Sequence, residues 1–174
     1  ATELAPGRAL DLGCGEGGDA VWLANNGWQV VAVDIAQTAL SRARDAAQAA
    51  GVADRIDFQQ HDLSDSFPSG TFDLVSAQFL HSTVRLERPQ ILQRAKQAVN
   101  PGGTLLIVDH GEPPPWAKDH VHEHVFPSAE KVVEELRLEG EWRQEYVGPV
   151  NRDAVGPDGQ QAMLIDNIMV LKRS

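Results

Sequence analysis

Residues 10–18 read LDLGCGEGG: an apolar run carrying Asp11 runs directly into Gly13, Gly15, Gly17 and Gly18. Glycines permit positive φ and let a ligand lie against bare backbone, and a helix beginning behind them offers unpaired N–H groups. Such a strand, loop and helix suits a nucleotide cofactor. A second apolar run, VVAVD at 30–34, ends in Asp34, twenty-one residues after Gly13. A carboxylate there can accept both ribose hydroxyls of an adenosine.

Neighbouring residues sort the possible cofactors. A phosphate-cradling ATPase loop needs Lys then Ser or Thr after its last glycine, but Asp19 and Ala20 follow Gly18. The dinucleotide fingerprint GxGxxG is met by Gly13, Gly15 and Gly18, so the loop alone leaves an NAD-dependent reductase open. Asp11 weighs against it, because a carboxylate two residues before the first glycine repels a pyrophosphate and attracts an ammonium. The string D-x-G-C-G-x-G, followed by Asp34, resembles the class I S-adenosylmethionine-dependent methyltransferases. Size and acidity make the small bacterial tellurite-resistance and thiopurine types the nearest in character.

The elements that must position these residues alternate along the chain. Strands are expected at 8–12, 28–34, 55–62, 71–80 and 104–110, the last entered through an NPGG turn at 100–103. A first helix runs from about Gly18 to Asn26 and closes on Gly27, and a second spans 37–50 with Leu40, Ala43, Ala47 and Ala50 at helical spacing, ending at Gly51. Pro89 opens a third, whose apolar face is Ile91, Leu92, Ala95, Ala98 and Val99. Ser128 caps a fourth that carries Val132, Val133 and Leu136 up to Gly140. Strands at 141–147 and 162–171 then flank a GPDG turn at 156–159. Five βα-type units followed by a hairpin imply a Rossmann-like, mostly parallel seven-stranded α/β sheet with one antiparallel strand and helices on both faces. The glycine loop, Asp34, HDL at 61–63, the FDLV strand and the NPGG turn extend the resemblance over nearly the whole chain, 1–174, as a single domain.

The resemblance implies roles for particular residues. Asp11, Gly13, Cys14 and Gly15 would line the methionine portion of S-adenosylmethionine, whose product is S-adenosylhomocysteine. Asp34 would take the ribose and Ile35 would pack on adenine. Asp62 would accept from the adenine amino group, with Leu63 offering its N–H, although a turn cap on DLSD is an equal reading of Asp62. Gln78 would contact the methionine group or the acceptor. Ala36 stands where the family usually has an N-capping Ser. A sulfonium methyl is already electrophilic, so the protein aligns a nucleophile, and a hydroxyl or amine acceptor still needs a base. His81 and His110, after the fourth and fifth strands, are the candidates, with Asp109 next to His110 to orient it.

Composition narrows the partners. A net charge of −10 and no basic stripe disfavour nucleic acid and favour a small-molecule acceptor. No run approaches the roughly 20 apolar residues a bilayer needs, no signal peptide opens the chain, and the single Cys14 suits the cytoplasm. Cys14 reads as a small residue filling a tight loop. His120, His122 and His124 alternate beside Glu123, which makes a metal site conceivable, but without a second ligand cluster they read as a polar, mobile cover over the cofactor mouth, carried by Pro113–Pro115 and swinging about Gly111. Trp116 would anchor that loop. Only seven residues precede the first strand and the sequence starts without Met, so it reads as a trimmed product from which the N-terminal lid helix usual in the family is missing. A non-catalytic adenosine-binding module remains the alternative to an enzyme, and the oligomeric state is open.

Overall fold

Apolar runs too short for helices, each followed by a glycine or capped turn, fold as strands of one sheet. A computed structural model describes residues 4–81, 86–116 and 126–174. In chain order the elements are β1 (Arg8–Leu12), α1 (Gly18–Asn25), β2 (Gln29–Asp34), α2 (Gln37–Ala49), β3 (Ile56–Gln60), β4 (Phe72–Gln78), α3 (Arg88–Gln97), β5 (Val99–His110), α4 (Ala129–Leu136), β6 (Trp142–Val155) and β7 (Gln161–Arg173). The sheet order is β3-β2-β1-β4-β5-β7-β6. β7 is antiparallel to both β5 and β6, and the other neighbouring pairs are parallel. The expected Rossmann-like sheet with a single reversed strand is therefore observed.

Alternation along each strand divides the core. Ala9 of β1 packs with Ala20, Leu23 and Ala24 of α1 and with Trp28 and Val30, whereas Leu10 and Leu12 face the cluster built on α3 and α4. That second cluster includes Ile91, Leu92, Val132, Leu136, Leu105, Ile107 and Met169. Gly17, at the α1 N-cap with φ 84°, lies so close to α2 that an added Cβ would sit 2.8 Å from Ala43 Cβ. The glycine loop is thus set by helix packing as well as by ligand access.

Several boundaries differ from the sequence expectation. NPGG does not turn the chain into a strand at 104. β5 begins at Val99, and residues 100–103 form a bulge between the pairs Phe72↔Val99 and Leu74↔Thr104. Asp73 holds the bulge by accepting from Asn100 Nδ2 at 3.0 Å, and Val99 belongs to the strand rather than to the face of α3. α4 stops at Leu136, where Arg137 adopts φ 47°, instead of reaching Gly140. β4 ends at Gln78, because Phe79 turns to φ 50°. β6 runs on to Val155, beyond the expected 147. No helix occupies the 61–71 connection between β3 and β4, so the βα units number fewer than five. No helix among the described residues is long and apolar enough to cross a membrane.

Candidate active site

The glycine loop leaves the carboxyl end of β1. Gly13 takes φ 72°, a conformation that residues with a side chain rarely adopt, and an added Cβ would approach Leu80 Cδ1 to 2.8 Å and force it to shift. Cys14 N–H donates to Val33 O at 2.9 Å, which ties the loop to β2. Burial pushes the Cys14 thiol up to about 12, with Asp11 and Asp34 adding to the effect. That direction suits the small loop-filling residue expected of Cys14.

Asp34, at the end of β2, holds the loop with both oxygens: Oδ2 accepts from Gly15 N–H at 2.9 Å and Oδ1 from Ala36 N–H at 2.8 Å. It is a strand-end turn acid whose remaining lone pairs stay available on a rigidly placed carboxylate. The Ala36 N–H is also satisfied in this way, which offsets the missing side-chain cap of α2.

Asp11 is only 3% exposed, and its Oδ2 has no hydrogen-bond partner among the described residues. Burial raises its carboxyl to about 7, helped by the charges of Asp19 and Asp34. An unsatisfied buried carboxylate costs stability, which makes Asp11 a candidate functional position.

A cavity of about 140 Å³ opens at these strand ends, lined by Gly13, Asp34, Ile35, Asp62 and Leu63 together with Phe79, Leu80 and His81. Ile35 is 51% exposed although apolar. Asp62 Oδ1 accepts from Ser64 N–H at 3.0 Å, the turn cap, while the residue still lines the cavity. Gln78 stands apart. It lines a neighbouring cleft with Asp19, Trp22, Ser76 and Leu106 on the α1 side of the sheet, and donates to Ser76 Oγ at 3.2 Å.

Sequence reasoning missed His61, which also lines the cavity and is fixed between Ser66 Oγ at 2.8 Å and Gln59 Oε1 at 3.0 Å. It directly precedes Asp62, so the strand-end position was the available signal. Phe79 was missed as well. Its N–H donates to Val108 O at 2.7 Å and its carbonyl accepts from His81 N–H at 2.8 Å. A non-glycine residue in that conformation costs of order 1–3 kcal/mol.

The two candidate bases are brought together, their rings 6.1 Å apart. Asp109, however, is not the partner of His110. Neighbouring strand residues face opposite ways, so Asp109 turns toward α3, where it is fully buried and bonded to Arg88. Its Oδ1 lies 3.7 Å from His81 Nε2. His110 faces the other side, with Nδ1 3.7 Å from Asp166 Oδ1. Each histidine therefore has a buried carboxylate behind it, and each carboxylate an arginine: Arg88 for Asp109, Arg152 for Asp166.

Gly111 N–H donates to Ile165 O at 2.8 Å, and a Cβ there would meet Ile165 Cγ2 at 2.9 Å. It is held against β7, which does not suit the expected hinge. Trp116 packs on Gly156 of the β6–β7 turn, in keeping with an anchor. His120, His122, Glu123 and His124 lie outside the described residues.

A mixed sheet with β7 reversed, a glycine loop after β1 and an acid closing β2 define an S-adenosylmethionine-dependent methyltransferase class. The methyltransferase domain family matches residues 9–103, and the chain belongs to it. S-adenosylmethionine is the cofactor this class implies. Among curated relatives, 27-O-demethylrifamycin SV methyltransferase of Amycolatopsis mediterranei is 34% identical over 105 residues, 59% of this chain and 38% of that protein. Ribosomal RNA small subunit methyltransferase C of Alcanivorax borkumensis is 32% identical over 120 residues, covering 66% and 36%. The matches thus span little more than a third of those relatives' lengths. TehB of Haemophilus influenzae shares the fold with TM-score 0.77 at 19% identity, over 98% of this chain and 58% of that one.

Proposed function

We propose that the chain binds S-adenosylmethionine at the carboxyl ends of β1 and β2 and transfers its methyl group to a small-molecule acceptor. Asp11 carries this reading. A buried carboxylate with an unsatisfied oxygen beside the glycine loop is relieved by an ammonium group and made worse by a pyrophosphate. Asp11, Gly13, Cys14 and Gly15 then hold the methionine portion, Asp34 the ribose hydroxyls and Ile35 the adenine face. Asp62 accepts from the adenine amino group through Oδ2, Oδ1 being engaged by Ser64, and Leu63 offers its N–H. Gln78 serves the methionine end or the acceptor from the neighbouring cleft.

When bound, the cofactor supplies an electrophilic methyl carried on a sulfonium. What remains for the protein is alignment of the acceptor at about 3 Å and removal of its proton. His81 and His110 are the proton acceptors in this reading, each beside a carboxylate that stabilises the imidazolium formed. The net charge of −10 supports a small acceptor over RNA, and the lone Cys14 suits a reducing cytoplasm.

One assay separates the alternatives. S-adenosylhomocysteine is expected to raise Tm while NADH does not, and methyl label from S-adenosylmethionine is expected to reach small hydroxyl, amine or thiol compounds. A rise with NADH alone makes the chain a reductase. Binding of S-adenosylhomocysteine without transfer makes it an adenosine-binding module.

A further inference from the structure

The β6–β7 hairpin reaches past the end of β5 and brings two charged residues to His110. On β7, Asp166 is the register partner of His110 and is 4% exposed. On β6, Arg152 lies two residues beyond Val150, the partner of Asp166, and so shares that face. Arg152 Nε donates to Asp166 Oδ2 at 2.6 Å and Nη2 to Oδ1 at 3.5 Å. Asp166 Oδ1 in turn lies 3.7 Å from His110 Nδ1. A face of the imidazole is covered by Phe79, whose ring stacks on it at 4.4 Å, and the Arg152 guanidinium carbon sits 5.9 Å from the Phe79 centroid. His81 stacks further out at 6.1 Å, and Asp109 faces the opposite side of the sheet with Arg88.

We infer that Asp166, anchored by Arg152, is a positioning residue that draws the Nδ1–H of His110 toward itself and so leaves Nε2 to take the acceptor's proton. The inference rests on the proposed role of His110 at the acceptor. A neutral imidazole has one donor and one acceptor nitrogen, and a fixed carboxylate favours the proton on the nitrogen that faces it; at 3.7 Å the pair is a close approach that a small ring movement converts into a hydrogen bond. An arginine fork is suited to hold that anion in place, because its donors are preorganised for a carboxylate. The hairpin thereby contributes to methyl transfer without touching either substrate.

The test is the ¹⁵N spectrum of the imidazoles in the whole chain, in buffer alkaline enough to keep them neutral. In the wild type, His110 is expected predominantly as the Nδ1–H tautomer. Asp166→Asn should shift most of that population to the Nε2–H form that imidazole favours in water. Arg152→Gln should shift part of it, with Arg152→Lys restoring it, and this half-exposed position keeps the test alive should Asp166→Asn fail to fold. S-adenosylhomocysteine Kd is expected to stay within about twofold throughout, as for groups that do not contact the cofactor. A wild-type His110 already in the Nε2–H form, or a tautomer unmoved in the folded variants, overturns the inference. The spectrum reads the imidazole and not methyl transfer, so this failure is distinct from failure of the proposed chemistry, which a fully active His110→Gln would reveal.

Discussion

In the proposed site, the cofactor side is built on one stretch, β1 through the start of α2, with Asp62 and Leu63 added after β3, whereas the acceptor side is gathered from the ends of β4 and β5 and from the β6–β7 hairpin, where Arg152 and Asp166 lie 42 and 56 residues beyond His110. On the first side the key contacts are backbone to carboxylate: Asp34 grips Gly15 and Ala36 at 2.9 and 2.8 Å. On the second they are side chain to side chain, Arg88 with Asp109 and Arg152 with Asp166, each behind a histidine. The first arrangement needs only the parallel pairing of β1 with its neighbour β2, which brings Asp34 to Gly15. The second exists only when α3 has packed on β5 and the β6–β7 hairpin has joined β5 in the right register.

That division can be broken most directly by removing both imidazoles. His81→Ala with His110→Ala is expected to lower kcat about 10²–10⁴-fold, the usual contribution of general base catalysis, while leaving the S-adenosylhomocysteine Kd within about twofold. Equal loss of both would merge the two sides. An unchanged kcat would overturn the base role of the two histidines and would fit an acceptor that arrives already as an anion.

The converse variant, Asp34→Ala, removes charge-assisted hydrogen bonds from the cofactor side. Roughly 2–4 kcal/mol of cofactor affinity should be lost, about 30- to 1000-fold in Kd by calorimetry. Unaltered affinity would sink the ribose assignment.

Asp11 sharpens the comparison through pH. Its carboxyl titrates near 3.8 in the unfolded chain and about 7 in the folded one. Between these values the native state keeps a proton that the unfolded state has released, so stability falls as pH rises across the window. At about pH 8 the buried charge costs up to a few kcal/mol, at about 1.4 kcal/mol per unit. Asp11→Asn should therefore raise Tm at that pH and change it little near pH 4. The same variant should weaken S-adenosylhomocysteine binding about tenfold, the effect of losing one charge-assisted contact, and wild-type affinity should rise with pH through about 7. A Tm unaffected at either pH would remove Asp11 from the site.

The smallest effect is expected beside the loop itself. Arg42 and Glu16 approach to 2.5 Å, yet both side chains are well exposed. Arg42→Ala should leave Tm and cofactor affinity unchanged within error in thermal melts and calorimetry, because solvent screens such pairs.

Local features were the ones readable from the chain. Strand and helix periodicity located all seven strands and the four α-helices of the described residues, and the glycines with Asp11 and Asp34 marked the cofactor side, because a strand-loop-helix unit is fixed by neighbours in sequence. Boundaries failed where tertiary contacts extend or cut an element. Asp73 draws the NPGG segment into β5 as a bulge, and pairing with β7 lengthens β6 to Val155. The error at His110 has a similar origin. Adjacency in sequence suggested Asp109, but a strand sends adjacent residues to opposite faces, and only the antiparallel register of β7 could supply Asp166 instead. A slip of one residue would have turned Asp166 away and left the imidazole without its carboxylate. Arg152 depends on a second register, that of β6 on β7. The sequence by itself determined the strands, the glycine loop and the acid that closes β2, since each follows from local conformation and hydrophobic period. Tertiary structure alone decided which carboxylate stands behind which histidine, since strand register is set by the packing of the whole sheet.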